Sequence, residues 1–352
     1  MNILFMIGNG FDVNVGLKTK FEDFMPHYVE KTVNDKIIRE FKDVIVKEGY
    51  ETWSDFEKQL GLYAKDFDAS TKANFIHCRD DFVDGLIEYL REQEARVDLK
   101  NKNADVVTAF VDSLTNFYRN NRLRSGSARD IATTFDVSRN ERHFYRFMTF
   151  NYTQVFDTCI NVLRRQHPLP LHHDGSNTPD SIAIPLHIHG TLDEDMLIGV
   201  DNTSQIANDK LSNDNSFSDN LIKSQMNGWL RNGNHARGME LIESSHIICV
   251  FGMSLGETDL MWWEKLGKWL FDNNDRHLVL WEYDPNYTRS NPRDFRRFDG
   301  RVIRRFFDRS NLSTTEQDDV ENRIHVGFNC GGENDLFNIK LAEPEKIEFG
   351  AV

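Results

Sequence analysis

Residues 3 to 7, Ile-Leu-Phe-Met-Ile, are an unbroken apolar run closed by Gly8-Asn9-Gly10. That length suits a strand and is too short for a helix. With no polar residue in alternation, the strand has to be covered on both faces, which places it inside a sheet. Gly8 and Gly10 permit positive φ and a close approach to the backbone. Downstream, Thr19 and Glu22 have the spacing of a capping box, so a helix is expected there. A strand, a glycine turn and a helix, in that order, seat a phosphate in doubly wound folds. The same sequence also suits a tight turn with no ligand.

Later segments repeat the pattern. Phe144–Phe150, Ile247–Phe251, Leu278–Tyr283 and Ile324–Phe328 read as strands. Ile182–His189 reads as another, weakened by Pro185, which donates no ladder bond. Between the first strand and Phe144 the chain is almost wholly helical in spacing. Phe21, Phe24 and Tyr28 share a face, as do Trp53, Phe56, Leu60 and Tyr63, then Phe75, Phe82, Leu86 and Tyr89. These aromatic stripes are expected to form core. Arg124–Arg129 reads as a loop, 201–220 as a mobile surface loop, and the C-terminal tail as irregular. Strands alternating with helices predict an α/β fold: a Rossmann-like, doubly wound, mostly parallel sheet with a large helical insertion after the first strand. Residues 1–17 and 141–352 are assigned to the sheet domain and 18–140 to the insertion.

Composition narrows the function. Lys and Arg total 42 against 56 Asp and Glu, a net charge of −14, so general nucleic-acid binding is not expected. Two arginine groups, one at 122, 124 and 129 and a denser one from 293 to 305, are read as solvated surface. The four cysteines, at 78, 159, 249 and 330, contain no Cys-x-x-Cys pair, which argues against a zinc ribbon and for the reducing cytoplasm. No apolar run approaches the roughly 20 residues of a membrane-spanning helix.

Ligands of open parallel sheets bind beyond the carboxyl ends of the strands. That is where Gly8–Asp12, Asn151, His189 and Gly252–Ser254 fall. His189 is a candidate general base, since imidazole titrates near neutrality. On a strand, His187 and His189 share a face, which also admits a metal pair. A packed structural histidine is the third reading. Asn151 can orient a water or a sugar hydroxyl, or start a helix. Gly252-x-Ser254 can lay backbone amides and a hydroxyl against phosphate, or Ser254 and Glu257 can form a capping box. The same residues match the Gly-x-Ser-x-Gly nucleophile elbow, with His277 or His325 as partner. Asp284 can bond a ribose hydroxyl or simply start a turn.

Taken together, Ile7-Gly8-Asn9-Gly10-Phe11-Asp12, Trp53-Ser-Asp-Phe-Glu57, Phe150-Asn151-Tyr152-Thr153, His189-Gly190 and Gly252-Met-Ser254-Leu255 with Asp259 resemble the AbiH family of bacterial phage abortive-infection proteins. More distantly, their order is similar to sirtuin-like domains, several of which hydrolyse NAD in phage defence. The sirtuin resemblance implies NAD as substrate or ligand. Gly8 and Gly10 would approach the pyrophosphate, Asn151 and His189 would flank the nicotinamide ribose, and Gly252 and Ser254 would hold phosphate or ribose from the other side; Asn9, Phe11 and Asp12, counted with the same turn, stand where sirtuins have a longer glycine-rich loop. His189 would accept a proton while Asn151 positions the oxygen. Sirtuins carry an acid where this chain has Thr153. The cysteine zinc module of protein deacetylases is absent, so NAD hydrolysis or binding alone is expected, with no metal. A phage-derived trigger and a homo-oligomer are compatible partners. A nucleotide sensor and a metal-dependent hydrolase or nuclease built on His187 and His189 are the alternatives.

Overall fold

A computed structural model describes residues 1–173, 180–231, 233–287 and 292–342. Its centre is a wholly parallel sheet. The strands are β1 (Asn2–Ile7), β2 (Phe144–Thr149), β3 (Ser181–Ile182), β4 (Leu186–His187), β5 (Ile247–Phe251), β6 (His277–Tyr283) and β7 (Ile324–Asn329). Their order is β3-β2-β1-β5-β6-β7, with β4 also on the outer side of β2. Pro185 divides the expected 182–189 strand into β3 and β4, and pairing stops at His187, so His189 lies past the strand end.

β1 is central, as its apolar run requires. Ile3, Phe5 and Ile7 enter one core, and Leu4 and Met6 enter the other. Helices Asn103–Thr115, Ser125–Val137 and Val155–Arg164 cover the first face. Helices Asn234–Glu243, Leu260–Phe271 and Pro292–Ser310 cover the second. The aromatic stripes between residues 21 and 90 build a third core. There Phe56 and Phe82 stack with centroids 3.5 Å apart. Each such buried aromatic contributes roughly 1.5–3 kcal/mol of transfer free energy. Helical residues 18–140 therefore divide between two cores: those up to Leu90 make the third, and those from Val106 on pack against the sheet.

Several segments differ from expectation. The first long helix after β1 is Phe21–Glu30; the Lys20 amide donates to Asp23, while Thr19 turns back to Asn9. Residues 125–137 are helical rather than a loop, with Gly126 in the first turn. The 201–220 stretch is packed, not mobile surface: Ile206, Leu211, Phe217 and Leu221 are buried in the third core. Asn202, Asn208 and Asp214 each cap a short helical turn there, and apolar residues that sparse carry no periodic signal. The C-terminal part is not irregular, for Pro292–Ser310 is a helix burying Phe298, Val302 and Phe306. Three of its arginines are paired: Arg301 with Asp284, Arg305 with Glu282 and Arg309 with Glu257. Arg122 is buried, donating to the Asn334 carbonyl and the Asp112 carboxylate, and is not part of a solvated patch.

Candidate functional site

The reversal of strand order lies between β1 and β5, and here two turns interlock. Gly8 N–H donates to Phe251 O and Gly10 N–H to Gly252 O, both at 2.9 Å. A Cβ on Gly10 would stand 2.5 Å from Gly252 Cα, and one on Gly8 would stand 2.6 Å from Gly252 O. Gly252 itself has φ +71°. The approaching group that demands these glycines is the chain's own second turn. Asn9 is exposed, and its side chain bonds Thr19 twice, accepting from Oγ1 at 2.6 Å and donating to the carbonyl at 2.9 Å. Phe11 is wholly buried against Phe110, Phe156 and Phe337.

Below this rim, two polar groups are set side by side. The first surrounds Asp12, in the short helix Gly10–Asn14. Its Oδ2 accepts from Thr153 Oγ1 at 2.6 Å, and among the described residues its Oδ1 has no hydrogen-bond partner. Burial pushes the Asp12 carboxyl up to about 7, and the nearby Glu94 adds to this; the Thr153 hydroxyl and Asn151 amide offset part of the rise. Asn151 faces Asp12 without the alignment of a hydrogen bond. Both its Oδ1 and its Nδ2 are buried without a partner. It is not an N-cap, for the next helix starts at Val155 after Gln154. His187 closes the group, with Nδ1 3.0 Å from Asn151 O and Nε2 2.9 Å from Asp157. Burial pulls the His187 pKa down, but the Asp157 carboxylate and the Asn151 carbonyl outweigh it, leaving it above the usual value.

The second group surrounds His189, whose Nε2 lies 3.3 Å from Asp259 Oδ1. Lys223 Nζ is 3.0 Å from both Asp259 and Glu57. Burial alone would lower the Lys223 pKa, yet Asp259 and Glu57 hold it above normal, so the ammonium stays charged. Burial raises Glu57. For His189, burial and then the Lys223 charge push the pKa down to about 3, with Asp259 acting the other way. His189 is therefore a neutral imidazole at physiological pH and a weak base. The Phe150 ring meets His189 edge-on at 5.3 Å, so the residue before Asn151 separates the groups. Among the described residues, no hydrogen bond or ion pair joins His189 to Asn151.

The two histidines expected to share a face thus serve different carboxylates, His187 with Asp157 and His189 with Asp259. Polypeptide past the end of β4 no longer alternates like a strand, and the metal pair loses its geometric basis. Ser254 is exposed; the following helix begins at Leu260, and Ser254 caps neither it nor the preceding turn. His277 and His325 bond each other at 3.0 Å at the entry ends of β6 and β7, away from Ser254, so no nucleophile elbow is assembled from them. Asp284, at the exit of β6, accepts from Asn286 N and pairs with Arg301, as a turn aspartate does.

Asp157 and Lys223 were not singled out from sequence. Glu57 stood inside the Trp53–Glu57 motif, read with Ser54 as a capping box; the helix Phe56–Tyr63 is instead capped by Asp55. Lys223 sits in a polar stretch without a motif, and only its burial reveals it.

The family model described as bacteriophage abortive infection AbiH matches residues 4–281. The chain belongs to the AbiH family. The match runs from β1 into β6 and takes in both polar groups of this AbiH protein, stopping before the arginine-rich helix and β7. A search of curated proteins finds no match. Among its described residues no helix is long and apolar enough to cross a membrane.

Proposed function

We propose that this abortive-infection protein binds NAD at the exits of β1, β2 and β5 and hydrolyses it to nicotinamide and ADP-ribose. The observation that carries the reading is Asp12: a buried carboxyl that titrates near neutrality, with an unpartnered oxygen, set against an Asn151 amide whose two polar atoms also lack partners. Buried polar atoms left unpaired cost free energy, so an arrangement with three of them is poised for a polar guest. In the reaction the bond between the ribose C1′ and the nicotinamide nitrogen breaks, and its electron pair leaves with neutral nicotinamide. The oxocarbenium-like centre takes up water. The Asp12 carboxylate accepts the proton that water loses and passes it to solvent. Asn151 orients the water or a ribose hydroxyl. His189, held neutral, is a polar wall; the base role expected for it moves to Asp12.

Incubating the full chain with NAD, alone and with extract of phage-infected cells, and measuring nicotinamide by chromatography tests this. Release is expected, falling by about 10²–10⁴ in Asp12→Asn, the range for loss of a general base. NAD left intact under every condition overturns hydrolysis.

A further inference from the structure

We propose that His143, His173 and Asp180 form a binding site for a divalent transition metal of the zinc class, at the end of the sheet opposite Asp12. His143 immediately precedes β2 and Asp180 immediately precedes β3, so two neighbouring parallel strands present them together. All three are buried, and one ligand atom from each lies within 4.8 Å of the others.

The hydrogen bonds suit a site that uses the Nδ1 atoms. His173 Nε2 is 2.9 Å from the Arg139 carbonyl, which only accepts, so that nitrogen carries a proton. His143 Nε2 is 3.0 Å from Ser138 Oγ, which takes either role, and 3.2 Å from the Ser138 carbonyl; in the tautomer that donates to the carbonyl, its Nδ1 presents a lone pair. Backbone carbonyls holding the outer nitrogen are the usual support of metal-bound histidine. Among the described residues, His143 Nδ1 and Asp180 Oδ2 have no hydrogen-bond partner. The His173 Nδ1 lone pair lies only 2.9 Å from Asp180 Oδ1, which also accepts from the His143 amide. Two acceptors at that distance repel unless a cation lies between or beside them. Two imidazole nitrogens and one carboxylate are a zinc-type donor set. His173 also lines a cavity of about 300 Å³ with Tyr118, Arg119, Ala128, Arg129 and Asp136, and in the proposed site water from it supplies the fourth ligand.

The rings lie stacked, with centroids 3.5 Å apart and planes 15° from parallel. Zinc binds in the plane of each ring at about 2.0–2.1 Å, so loading must fan the rings apart, which gives a readout of its own. The rival occupant is a proton, which would make His173 an imidazolium paired with Asp180. The site shares no residue with the NAD reading, and that reading can fail without touching it.

The full chain, stripped with chelator, is titrated with Zn²⁺ by calorimetry and with Co²⁺ by visible absorption. One ion per chain, with the intense bands of four-coordinate cobalt, is expected. Asp180→Asn keeps the side-chain shape and removes the charge, and should weaken binding by more than the 10–100-fold typical of an outer-shell partner. Nitrogen-15 NMR of wild type supplies a second measurement should that variant not fold. On adding Zn²⁺, both Nδ1 signals should shift, both Nε2 atoms should stay protonated, and ring-current shifts should report unstacking. No stoichiometric uptake, equal uptake by Asp180→Asn, or His173 doubly protonated and indifferent to Zn²⁺ overturns the proposal.

Discussion

Asp12 shows how far one residue's chemistry depends on what surrounds it. In sequence it is the last letter of a glycine-turn motif; in the fold it is a carboxyl raised from 3.8 to about 7, chiefly by burial. The consequence for stability has a definite sign. Between those two values the folded chain holds a proton that the unfolded chain has lost, so stability falls as pH rises through the window. At 1.36 kcal/mol per unit, the full difference is on the order of 4 kcal/mol. Urea unfolding near pH 5 and near pH 8 covers the upper two units of that window and should show a loss of about 2.7 kcal/mol in wild type beyond whatever Asp12→Asn shows, since the amide does not titrate. Equal pH dependence in the two proteins would mean that Asp12 is ionised throughout. Asn151 was legible as a strand-end residue, but its role was not, because an asparagine there serves equally as an N-cap. Only the helix start at Val155 frees its side chain.

At the scale of elements, β1 and β5 were legible because each is an apolar run with an abrupt glycine end, whereas β3 and β4, two residues each, were read as one strand. What stayed hidden was anything that depends on another segment. The 201–220 caps are three polar residues six apart, and their apolar partners come from helices more than a hundred residues upstream. The arginine-rich helix hides its apolar stripe among charges that Glu282, Asp284 and Glu257 neutralise. The glycines of the first turn were noticed, yet their reason lies in β5. Gly10→Ala should therefore cost at least about 1–3 kcal/mol, as overpacking does, because the added Cβ meets backbone 2.5 Å away and neither turn can yield without the other. Gly126 gives the contrast. It lies in a helix with nothing within 4 Å of an added Cβ, so Gly126→Ala should raise stability by roughly 0.5–1 kcal/mol. Chemical denaturation of the two variants beside wild type checks both signs. A neutral Gly10→Ala would show that the turns are not locked together.

Across the whole molecule, the third core meets the second at one buried ion cluster. Glu57 comes from the helical layer, Lys223 from the start of the helix after the capped segment, and Asp259 from the turn leading out of β5, with His189 alongside. Its attraction has to offset the cost of removing three ionisable groups from water, so its net contribution is small while it stays intact. Breaking it is another matter. Lys223→Met fills similar space but strands two acids in the interior, and should cost about 3–5 kcal/mol at neutral pH. The pH response then identifies the cause. In wild type the Asp259 carboxyl sits below its ordinary value: burial alone would raise it, but the Lys223 ammonium outweighs that. Its share of stability is present above pH ~4 and fades as pH falls through the folded value. Without the ammonium, burial raises Asp259, and Glu57 rises further. The variant then takes up protons on folding and grows more stable relative to wild type as pH falls from 7 toward 5. A Lys223→Met penalty that stays constant over that range would instead mean lost packing, and the cluster would not be the electrostatic tie between the helical layer and the strand exits.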